Sequence, residues 1–393
     1  MGSGVTPAAD GDRPLRIAIC LAHFYPTVGG AERQMQQLAE RWARWGHRPL
    51  VFTRRVPGLP QRETLRGVEI HRVIRTWPLG PLFGLSFIGS LAANLIRYRR
   101  RFDVVLDGQI PWEAAATGFV CPALGKSVVV VPASTGSAGD VRQILRAKGA
   151  GLWRRLVLRN TMFLTLSREA ESELRELGCP DAVIRPITNG VDLERFSPAE
   201  GDAGDRDRTV LYLSRLAAAK NPQVLLRAWR RLNGDGRYRL LMAGDGPLSG
   251  ELRQIAAADG LRNVEFLGHV DDVPAAHRRA SVFVLPSPSE GCSNALLEAM
   301  ASGLCPVVTR VPGNIDVVRD GQNGLLFDHD DDVQLAAALA RVLDDPPLRE
   351  RLSAAARQDI VERHDLDQIA RRFLTLFREL LAARDCDGGR QKN

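Results

Sequence analysis

Val282-Phe283-Val284-Leu285-Pro286-Ser287-Pro288-Ser289-Glu290-Gly291-Cys292-Ser293-Asn294-Ala295-Leu296-Leu297-Glu298-Ala299 is the stretch on which the fold turns. Four apolar residues read as a buried strand, and two prolines stiffen the loop behind it. Small polar residues then open a helix, with Ser293 or Asn294 as its cap. Free backbone N–H groups at such a helix start, from Gly291 through Cys292, Ser293, Asn294 and Ala295 to Leu296, suit a phosphate. Glu298, about one turn in, can accept two hydrogen bonds from a ribose diol. Glu290 stays in the loop, free to meet a sugar hydroxyl. An acid near a helix start is also a favourable partner for the helix dipole. That plainer account covers Glu298 but not the rigid proline loop before it.

The same strand, loop and helix recur outward in both directions. Leu15 to Leu21 reads as a strand, followed by a glycine loop and a helix over Ala31 to Trp45. Met35, Leu38, Trp42 and Trp45 recur there at helical spacing until Gly46. Val51–Thr53, Val104–Leu106, Ser127–Val131 and Phe163–Leu166 are further strands, and Ser167 caps a helix running to Leu177. Around Asn189-Gly190-Val191-Asp192, and from Ser197 to Arg208, the chain turns polar and rich in Pro, Gly and Asp. A second series follows, with strands at Val210–Leu213, Arg239–Ala243, Val264–Leu267, Val282–Leu285 and Pro306–Thr309. The expected fold class is α/β, with two doubly wound Rossmann-like units facing an interdomain cleft, since such units bind ligands beyond the carboxyl ends of their strands. The expected divisions are a flexible tail (1–14), an N-terminal domain (15–196), a linker (197–208) and a C-terminal domain (209–364). A C-terminal helix and tail (365–393) would pack back toward the first domain, with Ile369, Phe373, Leu376, Phe377 and Leu380 on one face.

The 393 residues are 45% apolar and 25% charged, a composition that excludes a disordered or fibrous protein. No uninterrupted apolar run reaches the roughly 18 residues that a membrane-spanning helix needs. The longest candidate, Leu82 to Ile96, is cut by Gly84, Ser86, Gly89, Ser90 and Asn94. The six cysteines stand singly, with no CxxC pair, so neither a disulfide framework nor a zinc site is expected, and the cytoplasm is the natural compartment. The net charge of +7 is uneven. Residues 1–195 hold 27 Lys/Arg against 17 Asp/Glu, while the remainder holds 26 against 29. The surplus sits in Arg97, Arg99, Arg100 and Arg101, then in Arg142, Arg146, Lys148, Arg154, Arg155 and Arg159. A one-sided basic surface suits an anionic lipid surface or a phosphorylated substrate; a plain solvated face is the competing reading. The apolar residues Leu82, Leu85, Phe87, Ile88, Leu91, Leu95 and Ile96 run straight into that arginine cluster. A second mixed segment spans Ile144 to Leu158. Apolar faces flanked by Arg are what interfacial helices use, though the same residues also suit a domain core with arginines facing water.

Glu290-Gly291, six residues, then Glu298-Ala299 resembles the signature of the retaining GT-B glycosyltransferases of family 4. The resemblance extends over nearly the whole chain. Asn189-Gly190-Val191-Asp192 with Phe196 resembles the family's interdomain segment, and Ser214-Arg215-Leu216 with Lys220 its phosphate-binding stretch. Gly244-Asp245-Gly246-Pro247, Phe266-Leu267-Gly268 and Gly321 with Gly324 follow in family order.

The resemblance implies a donor site and a catalytic apparatus. Arg215 and Lys220, just after the first strand of the second domain, would neutralise a diphosphate and the charge growing on it as it leaves. Without the flanking pattern they would read as surface cations. Glu290 would meet the sugar and complete the catalytic set. Gly29 and Gly30 would bring backbone and a helix start against the donor phosphates, although a tight turn needs such glycines anyway. Gly268 and His269 lie where relatives hold the nucleotide base. No Asp-x-Asp motif stands in a suitable loop, and Asp330-Asp331-Asp332 reads as a helix N-terminus, so no metal or other cofactor is expected. One departure matters. Many relatives carry a donor-contacting His after the strand matching Ser127–Val131. This chain reads Pro132-Ala133-Ser134-Thr135-Gly136-Ser137-Ala138-Gly139-Asp140 there. Thr135, Gly136 and Asp140 are the candidates for sugar or acceptor contact, and His23 reads as a strand-end histidine.

The expectation is a metal-independent retaining glycosyltransferase that moves a sugar from a nucleotide-diphosphate donor, UDP above all, to an acceptor hydroxyl. The acceptor would be a small molecule, a glycan or a lipid-linked sugar, with a peripheral contact to an anionic membrane as a further option. The alternative is a catalytically silent nucleotide-sugar-binding subunit. Nucleic acid is not an expected partner, because the arginine clusters lack interleaved aromatics.

Overall fold

The computed structural model describes residues 13–26, 29–78, 81–136, 139–147, 149–199, 204–232, 236–261 and 263–390. Residues 1–12 of the expected tail, Ser137, Ala138, Lys148 and residues 200–203 of the expected linker lie outside that description. The chain divides into two units. The first comprises Met1–Thr188 and Asp367–Asn393, and the second Asn189–Leu366.

The first unit is built on eight strands: β1 (Arg16–Cys20), β2 (Arg48–Arg54), β3 (Arg62–Leu65), β4 (Val68–Ile74), β5 (Val104–Asp107), β6 (Ser127–Val130), β7 (Met162–Thr165) and β8 (Ile184–Pro186). Their order across the sheet is β3-β4-β2-β1-β5-β6-β7-β8, parallel except for the β3–β4 hairpin. Its helices are α1 (Gly30–Arg44), α2 (Pro81–Tyr98), α3 (Trp112–Val120), α4 (Asp140–Arg146), α5 (Ala150–Val157) and α6 (Arg168–Leu177). The second unit has six parallel strands: β9 (Thr209–Leu213), β10 (Arg239–Ala243), β11 (Val264–Gly268), β12 (Val282–Leu285), β13 (Cys305–Thr309) and β14 (Leu325–Phe327), in the order β11-β10-β9-β12-β13-β14. Its helices are α7 (Pro222–Leu232), α8 (Ser249–Ala258), α9 (Val273–Arg278), α10 (Asn294–Ala301), α11 (Pro312–Ile315), α12 (Asp332–Asp344) and α13 (Pro346–Arg363). The last helix, α14 (Leu366–Arg390), belongs to the first unit from Asp367 onward.

Covered on both faces, the central strands are continuous apolar runs, as parallel sheets require. β5, β6, β7 and β12 are buried at every residue. The hairpin strand β3, together with β4, β8 and β14, is not among the strands read from sequence. β4 carries the buried polar residues His71 and Arg72, which break the apolar signal. Arg72 donates to Tyr25 O at 2.8 Å and so ties β4 to the loop after β1.

The apolar stretch of α2 divides between core and surface. Phe87, Leu91 and Leu95 pack into the first unit's core, whereas Leu82, Leu85 and Ile96 are exposed. The mixed segment from Ile144 is not one helix. α4 ends at Arg146 and α5 starts at Ala150, with Gly149 in the left-handed region at φ +79°. α14 packs on α1. The Trp42 indole donates to Ala370 O at 3.0 Å, Phe373 and Phe377 meet its ring edge-on, and Arg41 pairs with Asp367 at 2.7 Å. Asp331 caps α12 by accepting from Val333 and Gln334, so the aspartate run does open a helix. Among the described residues no helix is long and apolar enough to cross a membrane.

Candidate functional site

In the second unit, β9 and β12 are sheet neighbours although β10 and β11 separate them in sequence. That reversal of strand order is a topological switch point, where the loops leaving two strands diverge and leave a crevice. The loop after β9 carries Arg215 and Lys220, and the loop after β12 carries Glu290. Across the switch point, Lys220 Nζ donates to Glu290 Oε1 at 2.6 Å. Glu290 is only 8% exposed. The Arg215 side chain is exposed, while its backbone carbonyl accepts from Tyr212 Oη at 3.2 Å.

Glycines let backbone buttress both loops. A Cβ on Gly244 would lie 2.0 Å from Ser214 O, and one on Gly246 would lie 2.4 Å from Leu216 O. The Gly244-Asp245-Gly246 turn is therefore the support against which the Arg215 loop is laid. The Glu290 loop has a matching support. Gly313 N donates to Glu290 O at 3.1 Å, and a Cβ there would meet that oxygen at 2.2 Å. Below it, Thr309 Oγ1 donates to Ser287 O at 2.6 Å, and Asn314 Nδ2 donates to Thr309 O at 3.0 Å.

Ser293 is the cap of α10, its hydroxyl accepting from Leu296 N. Asn189 Nδ2 donates to Cys292 O at 3.2 Å and to Asn294 Oδ1 at 2.8 Å, and His364 Nδ1 donates to Asn189 O at 3.2 Å. A segment expected only to connect domains thus clamps the start of α10. Glu298 follows one turn into that helix and is 5% exposed. Gly268, at φ +69°, ends β11, and its carbonyl accepts from Gly244 N at 2.7 Å. His269 beyond it is exposed, facing Asp271 at 3.4 Å.

In the first unit the switch point lies between β1 and β5. Gly29 is the N-cap of α1 and Gly30 its first residue; Gly29 N donates to Glu32 Oε2 at 3.0 Å. His23 is exposed at the end of β1. After β6, Thr135 Oγ1 donates to Glu169 at 2.9 Å and Gly136 N to Glu173 at 2.8 Å, which ties this loop to α6. Asp140 is fully buried and accepts from Ile110 N, Ala133 N and Ser134 Oγ, so its carboxylate organises the loop from within.

Sequence reasoning missed a group of buried acids beside this loop. Asp107 ends β5 and Glu113 lies in α3, both fully buried, and neither Glu113 oxygen has a hydrogen-bond partner among the described residues. Burial pushes the Asp107 carboxyl up to about 7, against the stabilising hydrogen bonds of Thr117 and Cys20. Burial likewise holds Glu113 well above the carboxylate range. An Asp at a strand end and a Glu after a proline carry no local pattern that marks them as buried. Among the described residues no group of three or more His, Cys, Asp or Glu converges as metal ligands do.

Two such doubly wound parallel-sheet units are the GT-B architecture of glycosyltransferases. The chain belongs to glycosyltransferase family 4: the family model of that description matches residues 28–195, and the model for glycosyl transferases group 1 matches residues 194–359. It is an enzyme of sugar transfer. The D-inositol 3-phosphate glycosyltransferase of Salinispora arenicola is 27% identical, over 94% of this chain and 93% of that protein. The sucrose-phosphate synthase of Thermosynechococcus elongatus superposes with a TM-score of 0.77 at 22% identity, covering 94% of this chain and all of that one. Anabaena HepE, solved with UDP and glucose, superposes with a TM-score of 0.75 at 17% identity, covering 92% and 99%.

Proposed function

We propose that the protein transfers a sugar from UDP to an acceptor hydroxyl with retention of anomeric configuration and without a metal. The reading rests above all on the Lys220–Glu290 pair at the β9/β12 switch point. Lys220 and Arg215 would hold the diphosphate, and as the sugar–phosphate bond breaks they stabilise the negative charge left on UDP. Glu290 orients the sugar. Glu298 accepts from the ribose hydroxyls, and the loop and α10 start face phosphate with their N–H groups from Gly291 to Ala295, the Leu296 N–H being held by the Ser293 cap. Gly268 and His269 border the base, Gly29 and Gly30 approach the donor, and Thr135 and Gly136 border sugar and acceptor over the frame that Asp140 holds.

The bond chemistry follows the ion-pair route that the family resemblance implies. The anomeric carbon–oxygen bond breaks with its electron pair passing to UDP. The acceptor oxygen then bonds to the same face, and its proton goes to a phosphate oxygen of the leaving group. Incubation with a panel of UDP-sugars tests this, with inositol 3-phosphate as the first acceptor because a relative's name carries it. The expected product keeps the donor's anomeric configuration by NMR and forms unchanged in EDTA. An inverted product overturns retention, and complete loss in EDTA overturns the metal-free route. Binding of donors without turnover or hydrolysis points instead to a silent sugar-nucleotide-binding subunit.

A peripheral membrane contact is the second part of the proposal. Leu82 and Leu85 are exposed on α2, and Trp77, 62% exposed, is tied beside them by its backbone N–H, which donates to Ser86 Oγ at 3.0 Å. The same helix runs into the Arg97–Arg101 cluster. An apolar patch flanked by arginine suits an anionic bilayer surface.

A further inference from the structure

Two arginines of the basic cluster after α2, Arg100 and Arg101, meet Arg16 and Arg48 at a recess that the transfer reaction does not use. It encloses roughly 400 Å³ at the amino ends of the strands, whereas the loops described above leave the carboxyl ends. Arg16, Arg48, Arg100 and Arg101 line it, with Pro49 and Leu50 as a buried apolar floor.

Two of the four guanidinium groups are neutralised. Arg16 Nε donates to Asp103 Oδ2 at 2.9 Å, and its Nη1 donates to Arg100 O at 2.7 Å. Arg101 grips Glu69 with both Nη atoms, at 2.9 and 2.7 Å. Arg48 and Arg100 are different. Among the described residues neither side chain has a hydrogen-bond or ion-pair partner. In the register of the parallel β1–β2 pair Arg48 stands opposite Arg16, whose charge Asp103 already balances, so Arg48 is left to face the recess with Arg100.

We propose that this recess binds a small organic phosphate, its phosphoryl group held by Arg48 and Arg100 and its body lying on Pro49 and Leu50. A planar guanidinium matches phosphate with paired hydrogen bonds, and two of them balance a dianion. The volume falls within the range of about 300–1,000 Å³ usual for small-molecule sites and exceeds what a bare phosphate fills. The site is independent of the donor site and of its assignment.

The test compares wild type with R48A/R100A by calorimetric titration of inorganic pyrophosphate in the presence of excess UDP. Both substituted residues are exposed and unpaired, so the variant should melt at or above the wild-type temperature. Pyrophosphate should bind the variant at least about tenfold more weakly, the loss expected from removing charge-assisted hydrogen bonds. Equal affinity and stoichiometry in the two proteins would overturn the proposal. A parallel flotation with phosphatidylglycerol vesicles separates a lipid headgroup from a soluble phosphate. If R48A/R100A loses vesicle binding while the pyrophosphate titrations coincide, the small-ligand assignment falls.

Discussion

Lys220 Nζ lies 2.6 Å from Glu290 Oε1, and the two residues, 70 positions apart in sequence, follow strands that are neighbours in the sheet. The cation expected on the phosphates and the acid expected on the sugar therefore share one hydrogen bond and act as a unit. Their effects on rate should be non-additive. Lys220→Ala and Glu290→Gln are each expected to lower kcat by about 10²–10³-fold, the range for a lost transition-state contact. The double variant should be little worse than either. Steady-state kinetics decide it: if the variants raise only KM, the pair binds the ground state and does not serve the transition state.

Arg215 makes a contrasting case, because its side chain is exposed and its backbone alone is engaged by Tyr212. Arg215→Ala should reduce kcat more than donor affinity while leaving the melting temperature unchanged. A variant that melts early would show the residue to be structural.

Glu298→Ala should weaken UDP binding by about 1.5–3 kcal/mol, the range for hydrogen bonds to a charged group. This corresponds to roughly tenfold to 150-fold in Kd. Calorimetry on the folded variant reads it directly, and unchanged affinity removes Glu298 from the ribose.

Gly313→Ala tests the support beneath the site. The new methyl would collide with the carbonyl oxygens of Glu290 and Gly291, at 2.2 and 2.5 Å. Neither is a flexible side-chain end, so the loop itself must shift. Overpacking of this kind costs about 1–3 kcal/mol of stability. UDP affinity should fall with it even though residue 313 is not among the donor contacts. Wild-type affinity in the variant would mean that the loop moves without consequence.

The buried acids of the first unit give a pH signature. Asp107 titrates near 7 in the folded protein, against about 3.8 unfolded, so the native state holds the extra proton between those values. Its contribution to stability is therefore fully present below pH 4 and is lost as pH rises toward 7. Cys20 from β1, Thr117 and Glu113 from α3, and Cys121 surround it, and none of them carries a positive charge. Asp107→Asn should flatten the fall in melting temperature between pH 5 and pH 7.5. Parallel profiles for variant and wild type would assign that fall to other groups.

Leu82→Ser/Leu85→Ser tests the membrane contact. Wild type should float with phosphatidylglycerol vesicles at low salt and release as salt rises. The variant should stay behind with its fold intact, since Phe87, Leu91 and Leu95 keep the core side of α2. Wild type that fails to float at low salt leaves a soluble acceptor as the working reading.

Most of the architecture was legible because parallel strands buried on both faces are short β-branched apolar runs bounded by turn residues and alternating with amphipathic stretches. β12 and β10 run over Val282–Leu285 and Arg239–Ala243, the bounds expected from sequence. Strands with polar content escaped. In β4, His71 and Arg72 are buried with polar partners, Glu69 two residues earlier for the first and Tyr25 O from a distant loop for the second, so the strand does not read as an apolar run. The site divides along the same line. A capped helix behind a proline loop is a local signal, whereas Asn189 reaching Cys292 and Gly313 abutting Glu290 are long-range contacts. The two buried acids have no sequence mark at all, since burial is decided by whatever packs over them.

The pairing of α14 with α1 has a consequence for how the protein is made. Trp42 leaves the ribosome 328 residues before its hydrogen-bond acceptor, Ala370 O. Domains generally fold as units during synthesis. Here α14, which packs on α1, is translated only after the whole of the second unit. Throughout that interval the α1 surface around Trp42 is uncovered, an apolar patch for chaperones to hold. A chain released after Arg363 should accordingly leave Trp42 open to an aqueous fluorescence quencher, and a shielded Trp42 in that fragment would show that the first unit closes without its final helix.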